Sequence, residues 1–579
     1  PRWAAQDRAH RRAILLRVGD ELAKRRGELI TTMMHEASKT FAEADVEVSE
    51  AIDFARWYAD RCIDPDRIDG ADFEPLGLMA VVPPWNFPTA IPAGGVLASL
   101  AAGNAVIFKP APETPCCAEL VAEACWAAGV PRDVLQFVRT PDDHVGRLLI
   151  ESVDAVILTG SSDTADLFRS WKPRLRLFAE TSGKNALIVT PNADVDLAVQ
   201  DLVRSAFGHA GQKCSAASLA ILVGDVYRSP RFRRQLIDAV ESLTVGSALN
   251  LGTDVPPLVG GVNPRLARAA ATLEPGERWL VEPSISDGGL MTPGVRDGVR
   301  VDSWFHRTEC FGPVLGLMAA ADLDEALSIA NSSSFGLTGG IHTLDPTEIQ
   351  TWLERIEVGN GYVNRPITGA IVRRQPFGGW KRSSVGPGAK AGGPNYVLQL
   401  GRWNPTPGDP GDQGDPGRSA AAADDDYRQQ WADHFAVEHD DSGLFCEANI
   451  FRYRPLEAIG LHLGPSADPG DVALVRKAAA VAGVVIHTVE VGAEPDLGWL
   501  SDMAARGIER VRLVGVEPTD AMAAEANRLG VHLIDQPVTA AGRIELQHYV
   551  REQAMTITLH RFGNLARTTI GTGAPAPSA

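Results

Sequence analysis

The chain has 579 residues, 45% of them hydrophobic and 22% charged, with a formal net charge of −18. That length suggests about three to four domains at roughly 150 residues each, and the composition is that of an ordinary globular protein. The acidic balance removes non-specific nucleic-acid binding, which needs a basic face, and no apolar run or leader layout suggests a membrane span or secretion, so the reading is cytoplasmic.

The seven cysteines show neither Cys-x-x-Cys spacing nor an even count, so neither a metal site nor a disulfide framework is expected. Pro1 runs straight into a helical pattern, which suggests a piece of a longer polypeptide. Residues 7–62 place Ile14, Leu15, Val18, Leu22 and Leu29, and then Ala51, Ile52, Phe54 and Ala55, at helical spacing. They read as two or three amphipathic helices, with Glu36, Glu43, Asp45, Glu47 and Glu50 as a solvated face.

From Leu76 short β-rich runs alternate with helical segments: 77–82, 105–108, 134–138, 155–158, 175–178 and 186–189. That alternation means βαβ units and a parallel sheet, with ligands at the carboxyl ends of the strands. Three loops fall there: Pro83–Pro88, which carries Trp85, Asn86 and Phe87; Lys109–Pro115; and Thr159–Thr164, where Gly160, Ser161 and Thr164 open a helix whose amides can hold a phosphate. Glu180 lies between an apolar strand and a glycine turn, a placement that suggests a general base. Cys214 sits in Gly208-His209-Ala210-Gly211-Gln212-Lys213-Cys214-Ser215, where small neighbours allow close approach and Lys213 can favour the thiolate.

In that order Asn86, Lys109, Gly160 with Ser161, Glu180, Gly-Gln-Lys-Cys214 and Glu309-Cys310-Phe311-Gly312-Pro313 resemble the aldehyde dehydrogenase superfamily, from residue 1 to about 403. The resemblance implies an α/β fold with a Rossmann-like coenzyme domain, an α/β catalytic domain and oligomerisation strands. It implies Cys214 as nucleophile, Glu180 as the base that activates water against the thioester, and the Asn86 amide with the Cys214 N–H as oxyanion donors. It gives Lys109, Gly160, Ser161, Thr164, Glu309, Phe311 and Trp85 to the dinucleotide, with NAD expected over NADP. Pro112 stands where an acidic ribose clamp often follows the lysine, and Glu113 comes next.

The stretch Thr368-Gly369-Ala370-Ile371-Val372, the run Gln375-Pro376-Phe377-Gly378-Gly379-Trp380-Lys381 and the segment 386–396 resemble the glutamate-semialdehyde group of proline catabolism. Backbone amides at Gly369 and Ala370, with Ser215 and Lys213, would then hold the substrate carboxylate, and Phe87 and Phe377 its aliphatic part. Beyond 403, glycine recurs every third residue over a short stretch, and 404–427 reads as a disordered linker. Residues 428–579 regain alternating texture and resemble the smaller, non-catalytic C-terminal α/β module of proline utilization A proteins.

The expected division is 1–181 coenzyme-binding, 182–368 catalytic, 369–403 substrate-anchor loop and return, 404–427 linker and 428–579 C-terminal domain. The resemblance further implies a homo-oligomer, such as a dimer. A flavin (FAD) would belong only to a proline dehydrogenase portion that this chain lacks. The reading is NAD-dependent oxidation of L-glutamate γ-semialdehyde to glutamate. An aldehyde dehydrogenase of other substrate range and a silent scaffold are the alternatives.

Overall fold

The computed structural model describes residues 3–141, 143–286, 288–406, 416–490, 497–561 and 564–565. Helices Arg8–Lys24, Arg26–Glu36 and Phe41–Arg61 open it. Asp7 caps the first by accepting from the Ala9 N–H at 3.1 Å. Their apolar stripes, with Leu15, Val18, Leu22, Ala51 and Ala55 buried, cover one face of the following sheet through the helix Ala90–Ala102. The acids were expected on a solvated face, and the structure corrects that for Glu36, Glu43, Glu47 and Glu50. Glu36 caps the helix Pro115–Ala127 by accepting from the Cys116 and Cys117 N–H groups. The other three point toward a cavity.

The first sheet has the strand order Ser384–Val385, Arg176–Glu180, Ala155–Thr159, Leu78–Val82, Ala105–Phe108, Leu135–Phe137. All pairings are parallel except that of the short return strand at 384–385. The chain order reverses on either side of Leu78–Val82, so its carboxyl end and that of Ala155–Thr159 form a topological switch point. The second sheet takes Asn185–Val189, Ala217–Val223, Val314–Ala320, Thr338–His342 and Asn360–Val363 as its parallel centre. Leu187, Ile188, Val189, Ile221 and Leu222 are buried, the continuous apolar run of strands covered on both faces.

The C-terminal region forms a sheet of its own and also extends the second sheet. A four-stranded parallel sheet, Val485–Glu490, Ala458–Leu463, Arg510–Val514, His532–Ile534, follows the expected alternation. Two further strands join the second sheet. Val550–Thr558 pairs in parallel with Asn360–Val363, and Glu447–Pro455 closes the edge antiparallel to it over nine residue pairs. The polar residues Glu552, Gln553 and Thr556, all buried, break the apolar alternation that would have marked the strand. The expected linker at 404–427 is also corrected: Gly401–Pro405 is a strand paired with Ala71–Pro75, and Pro416–Gln430 is a helix that buries Ala423 and Tyr427. Residues 407–415 of that linker lie outside the described residues.

Between the C-terminal sheet and the short helix Gly542–Glu545, Arg512 and Glu545 are both fully buried and meet through two hydrogen bonds of 3.2 and 3.1 Å. Glu545 also accepts from the Thr539 N–H at 3.2 Å. Removing one partner strands the other charge in a dry core. Glu545→Ala is therefore expected to destabilise this region by about 3–5 kcal/mol in denaturant unfolding, with Arg512 left uncompensated.

Candidate active site

The two loops at the switch point, 83–88 and 160–162, face a loop from the second sheet that carries Cys214. A cavity of about 710 Å³ opens between them. Its wall contains Asn86, Gly160, Ser161, Glu180, Cys214 and Glu309. It also contains Trp85, Phe87, Phe311, Lys213, Ser215, Gly369, Ala370 and Phe377, so fourteen of the sixteen residues singled out in the sequence converge on one space. Lys109 and Thr164 stand outside the wall. Lys109 is buried just past Ala105–Phe108, where its N–H donates to the Val81 carbonyl, and Thr164 bonds the Ser161 hydroxyl.

The segment before Cys214 has an unusual backbone. His209, Ala210 and Gly211 have φ of 54°, 51° and 67°, three consecutive left-handed residues. A β-carbon on Gly211 would lie 2.5 Å from the Gly312 carbonyl oxygen, so only glycine lets this turn dock on the 309–313 loop. Gln212 clamps the turn: its side chain exchanges hydrogen bonds with Val259, donating at 3.2 Å and accepting at 3.0 Å. The Asn86 amide donates to the Gln212 carbonyl at 3.0 Å, which leaves its second N–H for a ligand.

Cys214, Glu180 and Glu309 are half-buried on the cavity wall, and desolvation dominates their titration. It pushes the Cys214 thiol up to about 12, aided by the Glu309 and Glu180 carboxylates. The Ser215 and Cys214 N–H groups pull the other way. Burial raises Glu180 to about 8 against the Lys390 ammonium and the N–H of Gly379, which donates to Glu180 Oε2 at 2.9 Å. Glu309 is raised by burial too, and its Oε1 accepts from the Gly183 N–H at 2.9 Å. The Trp85 and Phe311 rings meet edge to face at 5.7 Å, with Phe311 held at a φ of 57°.

Lys213 does not activate its neighbour. Its Nζ is pinned to Glu43 Oε1 at 2.6 Å, and a point charge committed to a carboxylate has little left for a thiol. Burial resists ionisation of Glu43, but the Lys213 and Lys39 ammonium groups outweigh it and hold Glu43 at about 2. Lys39 Nζ also pairs with the buried Glu47 at 2.6 Å and stands 3.8 Å from the centre of the Phe87 ring. Glu47 Oε1 accepts from the Thr89 and Ala90 N–H groups, capping the helix Ala90–Ala102. The sequence held a signal for this cluster: Glu43, Glu47, Glu50 and Phe54 recur at helical spacing, so the acids share a stripe with a core residue.

The aldehyde dehydrogenase family model matches residues 1–402, and the chain belongs to that family. Among relatives, a 1-pyrroline-5-carboxylate dehydrogenase of Geobacillus sp. (strain WCH70) is 35% identical over 421 residues, covering 69% of this chain and 81% of that one. Among solved structures, proline utilization A from Corynebacterium freiburgense matches 97% of this chain at 49% identity with a TM-score of 0.89. This chain spans 58% of the length of that protein. The 1-pyrroline-5-carboxylate dehydrogenase from Thermus with bound NAD matches 70% of this chain and 82% of its own at 32% identity and a TM-score of 0.65.

With its thiol at about 12, Cys214 is protonated at neutral pH in the ligand-free protein. Its alkylation by iodoacetamide, followed by mass spectrometry of its own peptide, is expected to rise about tenfold per pH unit from 7 to 9 without a plateau, because the thiolate fraction grows in that proportion below the pKa.

Proposed function

We propose that the chain oxidises L-glutamate γ-semialdehyde to L-glutamate with NAD as acceptor, the reading that the names of its relatives and the NAD-bound Thermus neighbour support. The observation that carries it is the shared cavity wall. Cys214, Glu180 and Asn86 line the same cavity as Ser215, Gly369 and Ala370, which brings the reacting groups and a carboxylate anchor onto one wall. Gly369 is exposed with a φ of 81°, and no heavy atom lies within 4 Å of where its β-carbon would be, which leaves its backbone open to a ligand.

Cys214 gives its thiol proton up to solvent as Sγ attacks the aldehyde carbon, and the oxygen that gains the electron pair is held by the free N–H of Asn86 and by the Cys214 backbone N–H. The donors around the switch point fit a dinucleotide: Gly160 and Ser161 open the helix Ser162–Trp171 on the same wall that carries Glu309. NAD bound there supplies the hydride acceptor. With hydride lost, Cys214 holds the acyl group as a thioester. Glu180 takes a proton from water, the hydroxide adds to the thioester carbon, and the carboxylate product leaves as the thiol is restored. Lys213, paired to Glu43, serves as one side of the anchor rather than as activator of Cys214. Phe377 and Phe87 line the path of the aliphatic chain.

Reduced-nicotinamide formation with glutamate semialdehyde and with a plain aliphatic aldehyde, in NAD and NADP, tests this. The amino-acid aldehyde with NAD is expected to be preferred, and Cys214→Ala to abolish turnover. Equal use of the plain aldehyde would overturn the anchor. Glu180→Gln is expected to give a burst of about one reduced nicotinamide per site, followed by steady turnover about 10²- to 10⁴-fold slower, the usual contribution of a positioned base.

A further inference from the structure

Next to Glu180 lies a chain of polar groups that ends in the C-terminal region. Lys390 is 1% exposed, and its ammonium donates to Asn360 Oδ1 at 3.2 Å and to the Gly378 carbonyl. Gly378 is the contact point with the base: a β-carbon there would lie 2.8 Å from Glu180 Oε1 and 3.2 Å from Lys390 Cγ. The Lys390 backbone N–H donates at 2.7 Å to Oε2 of Glu552, which stands on the strand Val550–Thr558. Glu552 Oε1 accepts from Asn395 at 2.6 Å, Asn395 donates to the Tyr453 hydroxyl at 2.8 Å, and that hydroxyl meets His434 Nε2 at 2.7 Å. Arg543 donates to Asn395 from the other side.

We propose that Lys390 and Glu552 are positioning residues for the base: Glu552, brought in by the C-terminal strand, fixes the Lys390 backbone, and the Lys390 ammonium standing next to Glu180 sets how readily that carboxyl gives up its proton. The proposal rests on Glu180 being the base. It makes the C-terminal region part of the hydrolytic half of the reaction. Two observations argue against a merely structural pair. Lys390 carries its charge into a dry site where carbonyl and amide oxygens, not a carboxylate, receive its hydrogen bonds, so the charge acts at a distance on both acids. Glu552 spends both carboxylate oxygens holding loop residues 390 and 395.

The groups facing Glu180 are the Lys390 ammonium, the Gly379 N–H, the Glu552 carboxylate, the Cys214 thiol and the Tyr396 hydroxyl. Lys390 and the N–H favour the ionised base, whereas Glu552 opposes it. Burial brings Lys390 itself down to about 8, against Glu180 and Glu552, so base and ammonium titrate together.

The test is an infrared pH titration of the protonated Glu180 carboxyl, its band assigned by loss in Glu180→Gln, on the full chain without substrate. In Lys390→Met the band is expected to persist to higher pH by about one unit or more, and in Glu552→Gln, which keeps an acceptor for the Lys390 N–H, to vanish at lower pH. Lys390→Arg is expected to restore the parent titration. Simple loosening of the site would admit water and move both variants down together. Unchanged bands, or shifts of one sign in both, would overturn the proposal. In turnover, Lys390→Met is expected to lower kcat at pH 7 about tenfold while sparing the first-turnover burst. Because the infrared shifts do not depend on turnover, an inactive parent would count against the substrate assignment and leave the charge couple to be judged on its own.

Discussion

The site depends on the docking of two backbones, Gly211 against Gly312. Left-handed conformation is costly for residues with side chains, of order 1–3 kcal/mol at a strained position, so His209 and Ala210 hold it only because their surroundings leave no alternative. His209 and Ala210 are buried, and Gln212 is bonded on one side to Val259 and on the other to Asn86. This turn ties the second sheet, which carries Cys214, to the switch-point loop of the first, which carries Asn86. Cys214 and the Asn86 amide are therefore set by one hydrogen-bonded clamp, which orients both toward the cavity before any ligand arrives.

With the frame fixed, the same cavity treats its carboxyl groups differently. Glu43 is held at about 2, chiefly by the Lys213 ammonium, and stays ionised, a permanent charge beside Lys213. Glu180 is raised to about 8 by burial and is mostly protonated at pH 7. Two carboxyls pushed apart by their surroundings can take two roles, one electrostatic and one acid–base. The buried His209 beside Glu43 is driven down to about 3 and adds no charge at neutral pH, so the Lys213–Glu43 contact supplies the charge balance there.

What was legible in the sequence follows from how local each signal is. The strands at 105–108, 155–158 and 186–189 are visible because their residues are apolar throughout, and the loops after them because proline and glycine mark chain reversals. The convergence of Cys214, Glu180 and Asn86 could be expected from the order of the motifs. Glu43 was misread because charge suggests solvent, whereas helical phase, the better guide here, put it on the stripe of Phe54. The strand Val550–Thr558 is hidden in the sequence because its partners on the sheet, Asn360–Val363, lie 194 residues earlier in register, and the buried polar Glu552, Gln553 and Thr556, which only distant partners satisfy, interrupt its apolar residues.

That strand changes what the C-terminal region is. A module merely tethered by a linker would leave the edge of Asn360–Val363 unpaired, and an exposed edge is open to other chains. Here Val550–Thr558 takes that edge in parallel and Glu447–Pro455 covers the next one, so the C-terminal region completes the second sheet. The same register that pairs Asn360 with Ala554 carries the preceding Gln553 and Glu552 beneath the loop holding Trp380 and Lys390, where Gln553 donates to the Val358 carbonyl and the Glu552 carbonyl accepts from the Trp380 indole at 2.8 Å. A slip of one residue would send the Glu552 side chain to the opposite face and leave the Lys390 and Asn395 donors unpaired in a dry interior. Pairing register at the sheet edge and charge placement next to Glu180 are thus one constraint, which accounts for buried polar residues on a strand where apolar ones would pack more simply.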